Sequence, residues 1–111
     1  MTKNLVTKLT ESDFKKFISD KKSKLVIVDF FADWCGPCHM MEQVLEELAV
    51  ANSANNVKIG KINVDTIPEL SSDHKVSSIP CVIFFKNGKE VTRSVGAVDV
   101  ETLQAKIDRI L

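Results

Sequence analysis

Tyrosine is absent from this 111-residue chain, tryptophan occurs once, and glycine, proline and cysteine number only four, three and three. So few cysteines, and an odd number of them, exclude the disulfide framework of a small secreted domain. Formal charge is zero, fifteen basic against fifteen acidic side chains, and the basic ones are scattered. No electrostatic footprint for a nucleic-acid backbone or an anionic membrane surface results, so neither is an expected partner. The longest apolar stretch, Leu25 to Ala32, is interrupted by Asp29 and is far too short to span a bilayer. The opening Met1-Thr2-Lys3-Asn4 leads into a short alternating segment without the apolar run of a signal peptide. With no repeat, linker or low-complexity segment, a soluble chain and one domain over residues 1–111 are expected.

What is present is a hydrophobic content of 44%, arranged in alternating strand and helix patterns. Leu5, Val6 and Leu9 fit a short strand, and Thr10 with Asp13 resembles a capping box opening a helix whose apolar stripe is Phe14, Phe17 and Ile18. Lys21-Lys22-Ser23-Lys24 is a solvated connector. Leu25-Val26-Ile27-Val28-Asp29-Phe30-Phe31 is apolar on both alternating faces, as a central strand covered by helices on both sides must be. From Cys38 onward, Met41, Val44, Leu45, Leu48 and Ala49 recur at helical spacing until Asn52-Ser53-Ala54-Asn55-Asn56 breaks it. Val57 to Val64 alternates as a strand, with a phase slip near Gly60 that marks a bulge or a close approach. Pro68 suits the first turn of a short helix toward His74. Val82-Ile83-Phe84-Phe85, Asn87-Gly88 and Val91 to Val95 read as a hairpin on a tight turn. Asp99 can cap a last helix whose buried face is Val100, Leu103, Ile107 and Ile110 or Leu111. The order β-α-β-α-β-α-β-β-α predicts an α/β fold, with parallel neighbours in the first half, an antiparallel hairpin near the end, and helix layers around a mixed sheet.

Cys35 and Cys38 are separated by Gly36 and Pro37 at the point where the central strand turns into a helix. A thiolate is favoured at a helix start, where free N–H groups and the positive end of the dipole lie, and only the thiolate attacks disulfides. Cys38, three residues on, shares the helical face and can reach back to close a bond. Gly36 leaves a bare surface, and Pro37 is tolerated in the first turn. By itself the pair remains either a redox couple or half of a four-ligand zinc site. For zinc the second half is missing: His39 points to another helix face, and Cys81 with His74 lacks a familiar spacing, so no metal is expected.

Val28-Asp29-Phe30-Phe31-Ala32-Asp33-Trp34-Cys35-Gly36-Pro37-Cys38 resembles the active-site segment of thioredoxins. The landmarks Lys61-Ile62-Asn63-Val64-Asp65, Val76-Ser77-Ser78-Ile79-Pro80, Lys86-Asn87-Gly88-Lys89 and Val95-Gly96-Ala97 follow in the family's order over nearly the whole chain. The resemblance implies the thioredoxin fold, a mixed five-stranded sheet flanked by four helices, and a cytoplasmic, monomeric protein-disulfide reductase. It implies that Cys35 attacks a substrate disulfide and that the more buried Cys38 displaces the product, leaving a redox-active Cys35–Cys38 disulfide. No cofactor would be bound, electrons coming from NADPH through a thioredoxin reductase, or from a ferredoxin-linked one. Ribonucleotide reductase, peroxiredoxins and methionine sulfoxide reductases are the substrate proteins it suggests.

Asp29 stands in an apolar strand, where desolvation should raise its pKa. Its residue-level reading is a core carboxylate pairing with Lys61 or a backbone group; the family reading makes it the proton acceptor for Cys38, with Lys61 as neighbouring charge. Ile79-Pro80 begins a strand, where proline is tolerated. By resemblance that bond is cis, and Trp34, Gly36, Pro37, Ile79, Pro80, Gly96 and Ala97 form the substrate-binding surface around Cys35, an extended substrate pairing with the Ile79 backbone. Three residues depart from the family pattern. Cys81 stands where threonine is common and reads as a small buried core residue or as a third, regulatory thiol. His39 replaces a lysine or arginine, and a histidine holds less charge at neutral pH, so activity would depend more steeply on pH unless it is merely a solvated side chain. Gln43 replaces a helix-kinking proline. His74 is expected to cap or to face solvent. A disulfide isomerase and a redox-gated binding subunit are the competing functions; Gly-Pro between the cysteines favours the reducing branch.

Overall fold

The computed structural model describes residues 5–111, so Met1-Thr2-Lys3-Asn4, read above as free of a leader, lie outside the described residues. In chain order the elements are β1 (Val6–Lys8), α1 (Glu11–Ile18), β2 (Leu25–Phe31), α2 (Gly36–Ala51), β3 (Val57–Asn63), α3 (Pro68–Asp73), β4 (Cys81–Lys86), β5 (Lys89–Val95) and α4 (Val100–Ile110). The sheet order is β1-β3-β2-β4-β5. The β1–β3 and β3–β2 pairs are parallel, joined through helical crossovers, whereas β2–β4 and β4–β5 are antiparallel. This is the mixed sheet between helix layers that the element order predicts.

All seven residues of β2 are buried because helices cover both faces. Leu25 and Ile27 face α2 and α4, packing with Met41, Leu45, Leu48, Leu103 and Ile107. Val26, Val28 and Phe30 face the opposite layer, with Phe14, Phe17 and Ile18 of α1 and Ile67 before α3. Each large side chain so buried contributes about 1.5–3 kcal/mol, which makes these two clusters the main source of stability.

Local details depart from the sequence reading in physically clear ways. Leu5 and Leu9 fall outside β1, and Leu5 is exposed. Thr10 does occupy the cap position of α1, but its hydroxyl donates to the Asp13 carboxylate at 2.7 Å instead of accepting from a backbone N–H, so no capping box forms. At Gly60 the pairing with both neighbours runs without interruption; a Cβ there would stand 2.9 Å from both Leu9 Cδ1 and Phe17 Cε2. The phase slip records a close approach. The register shift lies instead between Phe84 and Phe85 in the hairpin, whose turn places Asn87 and Gly88 at φ of 54° and 79°. Asp99 caps α4 by accepting from the Thr102 N–H at 2.9 Å, while Leu111 stays exposed. His74 caps the C-terminus of α3, and its half-buried ring lies 5.1 Å from that of Phe14 and 5.6 Å from that of Phe85. Burial there pushes its imidazole below the ordinary value, against the opposing pull of Asp73 and Glu90.

Candidate active site

At the end of β2 the parallel register sets Phe31 opposite Asn63, and Ala32-Asp33-Trp34 turns the chain into α2. Cys35 is the cap residue of that helix, and its Sγ accepts a hydrogen bond from the Cys38 N–H at 3.2 Å. One of the helix's free donors is thus aimed at the first sulfur, the arrangement that stabilises a thiolate. Cys35 and Cys38 are joined as a disulfide with their Cα atoms 5.3 Å apart. Both are buried, Cys38 slightly more deeply, in a small cluster with Phe31 and Ala32 against which Val64 and Ile79 pack.

In front of the disulfide, Ile79-Pro80 is a cis bond, and the Pro80 carbonyl accepts from the Gly96 N–H at 2.8 Å. Gly96 has φ of 93°, a conformation that strains residues with a Cβ. The chain is therefore held so that Ile79, Pro80 and Gly96 come together. Trp34 is 71% exposed yet oriented, because its Nε1 donates to Asp65 Oδ2 at 2.8 Å. A groove of about 290 Å³ runs between Trp34 and Ile79, with Val64, Pro68 and Val76 among its walls. Gly36, Pro37 and Ala97 are exposed and stand outside the cluster around the sulfur atoms. A Cβ on Gly36 would meet nothing within 4 Å, so space within the chain does not demand glycine there.

Two residues before the end of β2, Asp29 pairs in register with Lys61 across β2 and β3. Asp29 is 2% exposed, and its Oδ1 has no hydrogen-bond partner. That excludes satisfaction of a backbone group through this oxygen. No ion pair within 4 Å joins it to Lys61, whose Nζ lies 5.6 Å from the centre of the Phe31 ring. The two instead share a cleft of about 390 Å³ with Val6, Phe31, Glu42, Gln43, Leu45 and Glu46. Burial raises the Asp29 carboxyl from its ordinary 3.8 to about 7; Lys61 pulls it down and Glu42 pushes it further up.

Cys81 is the departure whose place is now fixed. It packs with Phe14, Phe30 and Ile83 on the α1–α3 face, in a different cluster from Cys35 and Cys38. Burial raises its thiol above the ordinary value, only partly countered by Arg93, whose Nη1 is 4.0 Å from the sulfur. Such a thiol is a poor nucleophile. His39 is exposed, with Nε2 2.7 Å from the Asp33 carbonyl oxygen and Nδ1 3.5 Å from Glu42. With Gln43 in place of proline, α2 runs unbroken from Gly36 to Ala51. Among the described residues no group of three or more His, Cys, Asp or Glu could hold a metal ion, and no helix is long and apolar enough to cross a membrane.

Sequence reasoning missed Asp65 and Glu42. Asp65 ends one of the quoted landmarks, and the parallel register that brings the end of β3 beside Trp34 was its only signal. Glu42 left none, since its relevance depends on which face of α2 overlies Asp29.

The profile of the thioredoxin family matches residues 5–109. A thioredoxin of Chlamydia pneumoniae is 45% identical over 105 residues, covering 95% of this chain and 98% of the relative. One from Alicyclobacillus acidocaldarius is 44% identical over 103 residues, covering 93% and 95%. Among solved structures, thioredoxin of Malassezia sympodialis superposes with a TM-score of 0.84 at 31% identity, covering 98% of this chain and 93% of that one.

Proposed function

The chain belongs to the thioredoxin family and is a thiol-disulfide oxidoreductase that reduces protein disulfides, and from that premise we propose how its residues divide the work. Cys35 is the attacking thiolate and Cys38 the resolving one. The observation that carries this assignment is the Cys38 N–H donated to Cys35 Sγ at the start of α2, a bond that favours negative charge on the first sulfur.

In the reduced protein the Cys35 thiolate attacks one sulfur of the substrate disulfide. A Cys35–substrate bond forms, and the other substrate sulfur leaves as a thiolate. Asp29 then takes the proton of Cys38, with Lys61 moderating its charge; a carboxyl near pKa 7 suits that exchange at neutral pH. The Cys38 thiolate attacks Cys35 Sγ, closing the intramolecular disulfide and expelling the second substrate sulfur. Two electrons have passed to the substrate. Its two thiolates take up protons, one from solvent and one matching that lost by Cys38. Trp34, Gly36, Pro37, Ile79, Pro80, Gly96 and Ala97 bound the surface on which an extended segment of the substrate lies, the Ile79 backbone serving as a strand edge.

Members of this family work without a bound cofactor, so the oxidised chain needs an external reductant. We assign that role to a thioredoxin reductase drawing on NADPH, and place the monomeric single-domain chain in the cytoplasm, a reducing compartment where the cycle can run. Ribonucleotide reductase, peroxiredoxins and methionine sulfoxide reductases are the substrate proteins proposed. Reduction of a protein disulfide coupled to NADPH oxidation by a thioredoxin reductase tests the reading. Turnover abolished by Cys35→Ser is the expected result; failure with several reductases would favour an isomerase or a redox-gated binding subunit.

A further inference from the structure

The cleft shared by Asp29 and Lys61 contains more charge than the proposed mechanism uses. Its inner end is Asp29, buried with one unpartnered carboxylate oxygen. Lys61 reaches it from β3, and α2 contributes two carboxylates, Glu42 and Glu46. The lining residues from β1 and the end of β2, Val6 and Phe31, carry no charge, and Gln43 is neutral. Glu42 also faces a residue outside the cleft. Its side chain is 56% exposed, and Oε1 lies 3.5 Å from His39 Nδ1, on the turn that leads out of the cysteine motif. One carboxylate therefore stands between the solvent-facing start of α2 and the buried acceptor.

We propose that Glu42 is a positioning residue for disulfide exchange: its charge, on the exposed wall of the cleft, opposes that of Lys61 and sets the pH at which Asp29 can take a proton from Cys38. The proposal rests on the reading of Asp29 as that acceptor. Lys61 favours the carboxylate form of Asp29 and Glu42 the protonated form; on β4, paired with β2, the Cys81 thiol is also within electrostatic reach of Asp29, but burial holds that thiol above its ordinary value, so it carries no charge near neutral pH. Loss of the Glu42 charge leaves Lys61 unopposed, so Asp29 ionises at lower pH and holds its proton less well when Cys38 must give one up. In this role Glu42 acts through Asp29 and not on the reacting sulfur atoms.

The test is a carboxyl-carbon NMR titration of Asp29 in the oxidised protein, run beside the pH profile of protein-disulfide reduction. Wild type, Glu42→Gln, Glu42→Asp, Glu46→Gln and Asp29→Asn are compared. Glu42→Gln should move the Asp29 midpoint toward acid by roughly half a pH unit, the scale of one charge acting across partly solvated space. The inflection of the rate profile should follow it. Glu42→Asp, which keeps the charge, should return most of the shift, and Glu46→Gln should move the midpoint less than Glu42→Gln. An Asp29 midpoint in Glu42→Gln equal to that of wild type overturns the proposal, even if Asp29→Asn still removes the inflection from the rate profile. If Asp29→Asn leaves the rate profile unaltered, it is the acceptor role that fails, and the NMR midpoint still decides whether Glu42 controls Asp29.

Discussion

Replacement of Asp29 by asparagine should make the oxidised protein more stable as pH rises. In the fold this carboxyl titrates at about 7, in the unfolded chain near its ordinary 3.8, because burial penalises the charged form. Between those values the native state keeps a proton that the unfolded state has lost, so stability falls with increasing pH. The slope is about 1.4 kcal/mol per pH unit, and across the roughly three-unit window the loss approaches ~4 kcal/mol. It is fully incurred above pH 7 and absent below pH 4. Asparagine is nearly isosteric and cannot ionise. Its buried amide brings a fixed penalty of about 1–3 kcal/mol, but that offset is the same at every pH and cancels from the slope. The assay is denaturant unfolding of both oxidised proteins from pH 4 to 9, with the cysteines held in their disulfide so that neither titrates. The variant should gain on wild type steadily from pH 4 to 7 and no further beyond. A difference that stays flat across this range refutes the account of Asp29 as a buried, destabilised carboxylate.

Three further outcomes follow from the packing. Gly60→Ala places a Cβ 2.9 Å from Leu9 and Phe17 side chains that are themselves buried, and calorimetry should show a loss of about 1–3 kcal/mol. Asp99→Ala removes the acceptor for the Thr102 N–H, and thermal unfolding should register about 0.5–2 kcal/mol. Cys81→Ser should leave the disulfide map of the oxidised protein unaltered, with only Cys35–Cys38 bridged; peptide mass mapping that finds Cys81 in a wild-type disulfide contradicts its burial in a separate cluster.

The features legible in the sequence are those whose cause is local or periodic. The two-faced apolarity of Leu25–Phe31 announces a central strand, the Asn87-Gly88 pair announces a tight turn, and both are present. Asp99 works as a cap because its carboxylate and the N–H it serves lie three residues apart. Thr10 has the same spacing and still fails, since its hydroxyl finds the Asp13 carboxylate a stronger acceptor than any role at the backbone. His74 caps α3 as expected, but the packing of its ring was not legible: the three phenyl rings around it come from α1, β2 and β4, and no local pattern foretells their convergence. The same holds for the site. The cysteine pair and Asp29 are written into one continuous segment, whereas the Asp65 bond to Trp34 and the Glu42 wall of the cleft exist only after β3 and α2 have packed beside β2.

The assignment of attacking and resolving sulfur is tested most directly by trapping the intermediate. A Cys38→Ser protein, reduced and then mixed with a disulfide-containing protein, cannot complete the second exchange. Mass mapping of the adduct should find one substrate molecule per chain, bonded through Cys35. An adduct through Cys81, or no adduct at all while wild type reduces the same substrate, contradicts the account.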